Sequence, residues 1–380
     1  MGQPLTFCSY FNSKQCQSCA WIDTAYSEQL LKKEQNLRNA FSLAPDFPLL
    51  PTVGSQEQGF RNRAKMVVTG TILSPIIGLL GETKLDEGRE LLSCPIHHPK
   101  LNAVIEALPT FIRDFNLIPY EIESRKGELK GLILFYSPGT DQLYLRFVLR
   151  SKECVSRIQK LLPVLQARFP SLACVSANIQ SIPHAILEGP EEIFITRTHT
   201  IDHQLGEFVL KLAPQAFVQT NVEVATKLYE TAADWIAEIK PTMMLDLFCG
   251  QGAFSFFSAK SATKILGIEI NEDAVNTANL TAKKLNLTHL SFQCMDAQKE
   301  TPNWNADLIL VNPPRRGLGQ TVKLIEHQLP KHLLYSSCSV ETLAKDLKIL
   351  ESRYSIKKIR VFDLFPHTEH FETLVLLKTR

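Results

Sequence analysis

Long apolar runs are missing from this sequence. Nowhere in its 380 residues does one approach the roughly 20 residues that a membrane-spanning helix needs. The first stretch, MGQPLTFCSYFNSKQCQSCAW, lacks the apolar core of a secretory signal. An excess of either charge is missing too. Forty-one Lys and Arg against 39 Asp and Glu leave +2, which neither favours nor excludes nucleic acid, because basic residues can cluster locally. There are no internal repeats and no low-complexity tracts. These absences predict a cytoplasmic protein with no membrane partner, in a compartment where thiols stay reduced. Its nine cysteines are therefore expected as metal ligands, nucleophiles or core residues rather than disulfides.

What is present suffices for two or three domains: 44% hydrophobic and 21% charged residues can bury real cores. Residues 1–56 form a cysteine-rich segment with one helical pattern, SEQLLKKEQNLRNAF, and a proline-broken linker, APDFPLLPTVG. Residues 57–204 read as an α+β domain, with strands such as LKGLILFYS and QLYLRFVLR and helices such as KLNAVIEALPTFIRDF. From 205 to 380, short aliphatic strands (MMLDLF, KILGIEI, LSFQCM, DLILVN, HLLYSS, TLVLLKT) alternate with helices. That alternation predicts an α/β, Rossmann-like, mainly parallel sheet.

LDLFCGQGAFS puts Gly250 and Gly252 at a strand-to-helix turn, where the backbone can approach a ligand. Glu269 follows at the end of the next strand, placed to accept hydrogen bonds from ribose hydroxyls, and Asp296 at the end of the third, where an adenine edge would lie. The turn has no third glycine in the dinucleotide register, and no phosphate loop with a lysine is present. It resembles motif I of class I S-adenosylmethionine-dependent methyltransferases.

LILVNPPRRG sets Asn312 before two prolines that stiffen the loop after the fourth strand. The motif resembles the (Asp/Asn)-Pro-Pro-aromatic signature of amino-group methylases, but Arg315 stands where those enzymes stack an aromatic ring. Cys338 ends the next strand on the same sheet edge. Such a thiol suits methylation at carbon 5 of a uracil, a poor nucleophile. A thiolate adding to carbon 6 makes carbon 5 electron-rich. After methyl transfer a base must remove the carbon 5 proton before the thiolate can leave. Glu372, just before the last strand, is the base candidate.

Together LDLFCGQGAF, VNPPRRG, YSSC, HTEHFETL and PQAFVQTN (214–221) resemble the signatures of the RNA uracil-5-methyltransferase family. The resemblance implies that Gln219, Phe248, Gly250, Glu269, Asp296 and Asn312 contact S-adenosylmethionine, with Cys338 as nucleophile and Glu372 as base. Many relatives carry Asp at the position of Asn312, so a charged role is excluded there. A different class of reading, an iron–sulfur RNA-binding protein on a retired methyltransferase scaffold, is disfavoured by the intact Cys338 and Glu372.

Cys8, Cys16 and Cys19 are spaced C-x7-C-x2-C, and Cys94-Pro95 follows. Four thiolates suit zinc or an iron–sulfur cluster, and spacing alone does not separate them. The family resemblance implies a [4Fe–4S] cluster, which the members acting on ribosomal RNA carry. Cys154, Cys174, Cys249 and Cys294 are assigned to packing. Arg61, Arg63 and Lys65 alternate along one strand, and Arg125, Lys126 and Lys130 follow; both groups suit RNA phosphates. With Cys8 so near the first residue, the sequence most resembles the shorter of two ribosomal types. The expected substrate is then protein-free 23S rRNA, at one loop uridine, and the expected state is a monomer.

Overall fold

The computed structural model describes residues 6–44, 47–81, 88–182, 188–299 and 305–380; Pro45 and Asp46 of the expected linker lie outside these. The chain divides into two compact units. One comprises residues 1–19, 57–204 and 212–215, the other 20–56, 205–211 and 216–380. The chain passes between them in the stretch holding β9 (Ile201–Leu205) and β10 (Phe208–Leu212). Residues 20–56 therefore belong with the C-terminal unit, whereas the sequence placed them in one segment with the first cysteines. The reason is long-range packing, invisible to local pattern: β1 (Leu50–Val53) pairs in parallel with β16 (Tyr354–Phe362), and α2 (Tyr26–Phe41) packs on α9 (Val340–Leu350).

In the first unit, seven strands form one sheet in the order β4-β3-β2-β5-β6-β7-β8 among the described residues. They are β2 (Arg63–Gly70), β3 (Pro75–Leu80), β4 (Gly88–Glu90), β5 (Leu129–Ser137), β6 (Gln142–Leu149), β7 (Leu172–Ile179) and β8 (Glu191–Phe194). All pairings are antiparallel except β6 with β7, which α4 (Val155–Arg168) connects. That helix and α3 (Pro99–Asp114) bury Ile158, Leu161, Leu165, Leu101, Ile105 and Leu108 in one core with β5 and β6. Both helices contain a proline, Pro109 and Pro163. α1 (Ser9–Asn12) is a single turn between Cys8 and Cys16.

Among the described residues, the second unit holds an eight-stranded sheet in the order β1-β16-β17-β15-β14-β11-β12-β13. β11 (Met243–Leu247), β12 (Lys264–Glu269), β13 (Leu290–Cys294), β14 (Leu308–Val311) and β15 (His332–Ser337) run parallel, as the alternating pattern requires. Helices α5 (Val222–Ile239), α6 (Ala253–Ser258), α7 (Glu272–Lys284), α8 (Thr321–Gln328) and α9 cover it. Every residue of β14 is fully buried, which is why LILV reads as a continuous apolar run rather than an alternating one. β17 (Glu372–Thr379) is antiparallel to both neighbours, β15 and β16. Its direction decides where the chemistry sits. No helix among the described residues is long and apolar enough to cross a membrane.

Candidate functional site

Because β11 to β15 are parallel and in near-level register, their carboxyl ends form one edge. Leu247 pairs with Ile268 and with Val311, Glu269 with Cys294, and Val311 with Tyr335. The residues that follow these positions, Phe248, Glu269, Asp296, Asn312 and Cys338, thus emerge along a single line, where open α/β sheets bind ligands.

The turn after β11 is bent for close approach. Phe248 has φ +62, an uncommon value for an aromatic residue, and Gly250 and Gly252 have φ +55 and +81. A Cβ on Gly252 would lie 2.4 Å from the Phe292 ring, so glycine is required there by packing as well as by φ. A Cβ on Gly250 would meet nothing within 4 Å, which leaves open room over its backbone. The Glu269 carboxylate accepts from Gly250 N (3.0 Å) and Asn271 N (2.9 Å), and Asn271 in turn caps α7 through Ala274 N. One acid thereby ties the glycine turn to the next helix, and each oxygen keeps a lone pair for a ligand hydroxyl. Asp296 accepts from Gln298 N at 3.0 Å and pairs with Lys299 at 3.3 Å; the backbone bond, then the lysine, hold its carboxyl below the usual range despite some desolvation. Asn312 is half-buried, Gln219 is buried, and two residues on Asn221 caps α5 through Val224 N at 3.2 Å. Beneath the turn, Asp246 is fully buried; Oδ2 accepts from Ser255 Oγ at 2.6 Å and Oδ1 has no side-chain or backbone partner among the described residues. Burial pushes its carboxyl up to about 7, against the hydrogen bond from Ser255.

Cys338 lies between β15 and Ser339, the N-cap of α9, whose hydroxyl accepts from Thr342 N. The positive end of that helix favours a thiolate. Burial raises the thiol pKa, the Glu372 charge raises it further, and Arg315 lowers it through charge and a hydrogen bond. The register Ser336–Leu374, Ser337–Thr373 brings the end of β15 beside the start of β17, near enough for the Glu372 charge to act on Cys338. Glu372 is buried and accepts from Ser336 Oγ at 2.5 Å; burial, outweighing that bond, moves its carboxyl up to about 7. Cys338 and Arg315 line a cavity of about 240 Å³ with Ser339, Glu369, His370, Phe371 and Asn36 of α2. Ser336 lies inside the YSSC motif but was given no role of its own, because a serine inside a buried strand reads as packing, and Asn36 carried no signal, being some 300 residues from Cys338.

In the other unit, Cys8 and Cys94 are buried and Cys16 and Cys19 half-buried. The Cys19 thiol is pushed up to about 12, first by burial and then by the charges of Cys94, Cys16 and Cys8; Arg61 opposes this. The four sulfurs therefore share one neighbourhood. Backbone N–H groups of Ile96 and His97 point at the Cys94 sulfur. Among the described residues, no three His, Cys, Asp or Glu side chains form a ligand set for one metal ion.

The basic stripe is not assembled as its alternation suggested. Arg61 turns to the cysteines and to the Arg63 carbonyl, and Arg63 is buried. Lys65 is exposed but pairs with Glu188. Lys130 is buried, donating to the carbonyls of Gln180 (3.1 Å) and Ile182 (2.6 Å). Arg125 and Lys126 are exposed.

A family model described as tRNA (Uracil-5-)-methyltransferase matches residues 191–380. The 23S rRNA (uracil(747)-C(5))-methyltransferase RlmC of Proteus mirabilis (strain HI4320) is 41% identical over 377 residues, 97% of this chain and 98% of that protein. Its namesake from Vibrio vulnificus (strain YJ016) is 41% identical over 375 residues, covering 97% and 99%. Among solved structures, the Pyrococcus abyssi tRNA (uracil-54, C5)-methyltransferase in complex with S-adenosyl-L-homocysteine superposes with a TM-score of 0.79 at 24% identity, over 94% of this chain and 85% of that one. That likeness establishes the fold.

The two raised carboxyls generate a stability prediction. Asp246 and Glu372 rise to about 7 on folding, from 3.8 and 4.5, so the folded protein holds protons that the unfolded chain has released. Their contribution is intact below the ordinary carboxyl range and is lost as pH rises through about 7. Glu372→Gln should therefore lose less stability than the parent protein between about pH 5 and about pH 8. Urea midpoints at the two pH values measure this; equal losses in the two proteins would contradict the assignment.

Proposed function

The chain belongs to the RNA uracil-5-methyltransferase family, and on that premise we propose that it methylates carbon 5 of one uridine in 23S rRNA, giving 5-methyluridine. The observation that carries this reading is the nearness of Cys338 and Glu372, where β15 ends and β17 begins, at the edge that also presents the glycine turn. The near full-length relatives named for 23S rRNA favour that substrate over tRNA. S-adenosylmethionine supplies the methyl group. Open space over Gly250, the ribose-facing acid Glu269, the half-buried amide of Asn312 and the acid Asp296 fit a cofactor with a ribose, an adenine and no phosphate; Gln219 and Phe248 would complete its contacts.

In the proposed sequence, Arg315 and the start of α9 favour the Cys338 thiolate. The thiolate bonds to carbon 6 of the uracil, and the ring electrons move toward oxygen 4. Carbon 5 then takes the methyl group. Glu372 removes the carbon 5 proton, the ring double bond re-forms, and the carbon 6–sulfur bond breaks to return the thiolate. A carboxyl held near 7 is poised to take a proton at neutral pH. The cavity beside Cys338 must receive a base that has left its stack, which suits a loop uridine in protein-free RNA. The unit holding residues 57–204 is the proposed RNA-binding domain, with Arg125 and Lys126 among its exposed cations. The cytoplasm is the compartment that suits this substrate and reduced thiols.

Cys8, Cys16, Cys19 and Cys94 are proposed to hold a [4Fe–4S] cluster, supported by four thiols in one neighbourhood, a donor set that suits such a cluster, and by Arg61 beside them. The methyl transfer needs no electron, so the cluster would be structural or would position RNA.

Three outcomes test these readings. The protein should methylate a protein-free 23S rRNA transcript at a single loop uridine and leave tRNA unmodified. Cys338→Ala should abolish this while S-adenosylmethionine still binds. Methylated tRNA, or activity in Cys338→Ala, would overturn the substrate or the mechanism respectively. Protein made without oxygen should be brown and contain iron and acid-labile sulfide, both lost in Cys94→Ser. Stoichiometric zinc without sulfide would sink the cluster.

A further inference from the structure

Glu372 stands at the end of the loop 363–371, which also supplies Glu369, His370 and Phe371 to the cavity beside Cys338. The loop is pinned at its base, where Phe362 pairs with Glu372. Its middle is held by α2 and the residues before it. Lys33 Nζ donates to Asp363 Oδ1 at 2.6 Å and to the Phe365 carbonyl at 3.1 Å. Tyr26 OH donates to Asp363 Oδ2 at 2.9 Å. Trp21 N–H donates to the His367 carbonyl at 2.9 Å, and His367 N–H donates to Gln29 Oε1 at 2.8 Å. Gln29 Nε2 lies 3.2 Å from His367 Nδ1. His367 itself has φ +65 and is fully buried, a backbone state that persists only where its surroundings impose it.

The Lys33–Asp363 pair has no exposed surface on either side chain. Such a pair is a weak source of stability, because desolvation offsets the attraction; what it offers over an apolar contact is direction. It ties α2 to the first residue of the loop that carries the base, and the same helix brings Asn36 to the cavity.

We propose that Lys33 and Gln29 are positioning residues for proton removal: by clamping the 363–371 loop from α2 they set the Glu372 carboxylate against carbon 5 of the bound uracil. This rests on the reading that Glu372 is the base. Loosening the clamp should therefore slow release of the covalent intermediate rather than its formation. That signature separates positioning from a general contribution to folding.

The test uses the full chain, 23S rRNA transcript and S-adenosylmethionine carrying a labelled methyl group. Lys33→Met removes the ammonium, and Gln29→Ala loosens His367 without stranding a charge if the first variant folds poorly. For the folded fraction, counted by S-adenosylmethionine binding, turnover should fall by about 10²-fold in Lys33→Met, the size expected of an ångström-scale misplacement. Gln29→Ala should fall less. In both, a methylated protein–RNA adduct that survives denaturation should accumulate while cofactor affinity stays at the parent value. Glu372→Gln is run beside them. If Glu372→Gln accumulates adduct but neither α2 variant does, the positioning role is overturned and the base assignment stands. If Glu372→Gln accumulates none, the base assignment falls and takes this proposal with it.

Discussion

The arrangement depends on the direction of one strand. β17 inserts antiparallel between β15 and β16, so it begins where its neighbour β15 ends. A parallel strand there would deliver its first residue to the opposite edge of the sheet, about 20 Å away for a strand of this length. The antiparallel direction instead starts β17 beside the end of β15 and so brings Glu372 near Cys338, in a place dry enough to raise its carboxyl to about 7. Burial that would be a liability for a surface acid gives this one the affinity for a proton that the proposed reaction requires.

The same edge explains why two kinds of chemistry lie side by side. β11, β12 and β13 end in the glycine turn, Glu269 and Asp296, which suit a nucleoside-like cofactor. β14 ends before Asn312, which also suits the cofactor, and β15 and β17 end or begin at Cys338 and Glu372, which suit a base to be modified. Asn312 stands at the junction, following a strand whose four residues are wholly buried and so cannot shift without disturbing the core.

Much of this was legible in the sequence because it is local. Short aliphatic strands followed by helices read as a parallel sheet, and motifs at strand ends share an edge by geometry. Elements without a local signature were missed. IKKIRVF in β16 alternates charge and apolar residues on a half-covered strand, so it read as neither a buried strand nor a helix. β1 is four residues long and joins the sheet more than 300 positions from its partner. The basic stripe failed for a related reason. Alternation does set Arg63 and Lys65 on one face of β2, but that face is covered around Arg63, and Arg61 precedes the strand and turns to the thiols. Alternation reports which side a residue faces; what lies on that side is decided by tertiary packing.

The covalent role of Cys338 is the claim on which the rest turns, and it has a direct measurement. An RNA fragment of the target loop carrying 5-fluorouridine should be methylated once and then held, because fluorine does not leave as a proton does. Mass spectrometry of the digested complex should find the methylated nucleotide on the peptide containing Cys338. Efficient methylation of the ordinary uridine fragment with no adduct on the fluorinated one, or an adduct on another residue, would contradict the account.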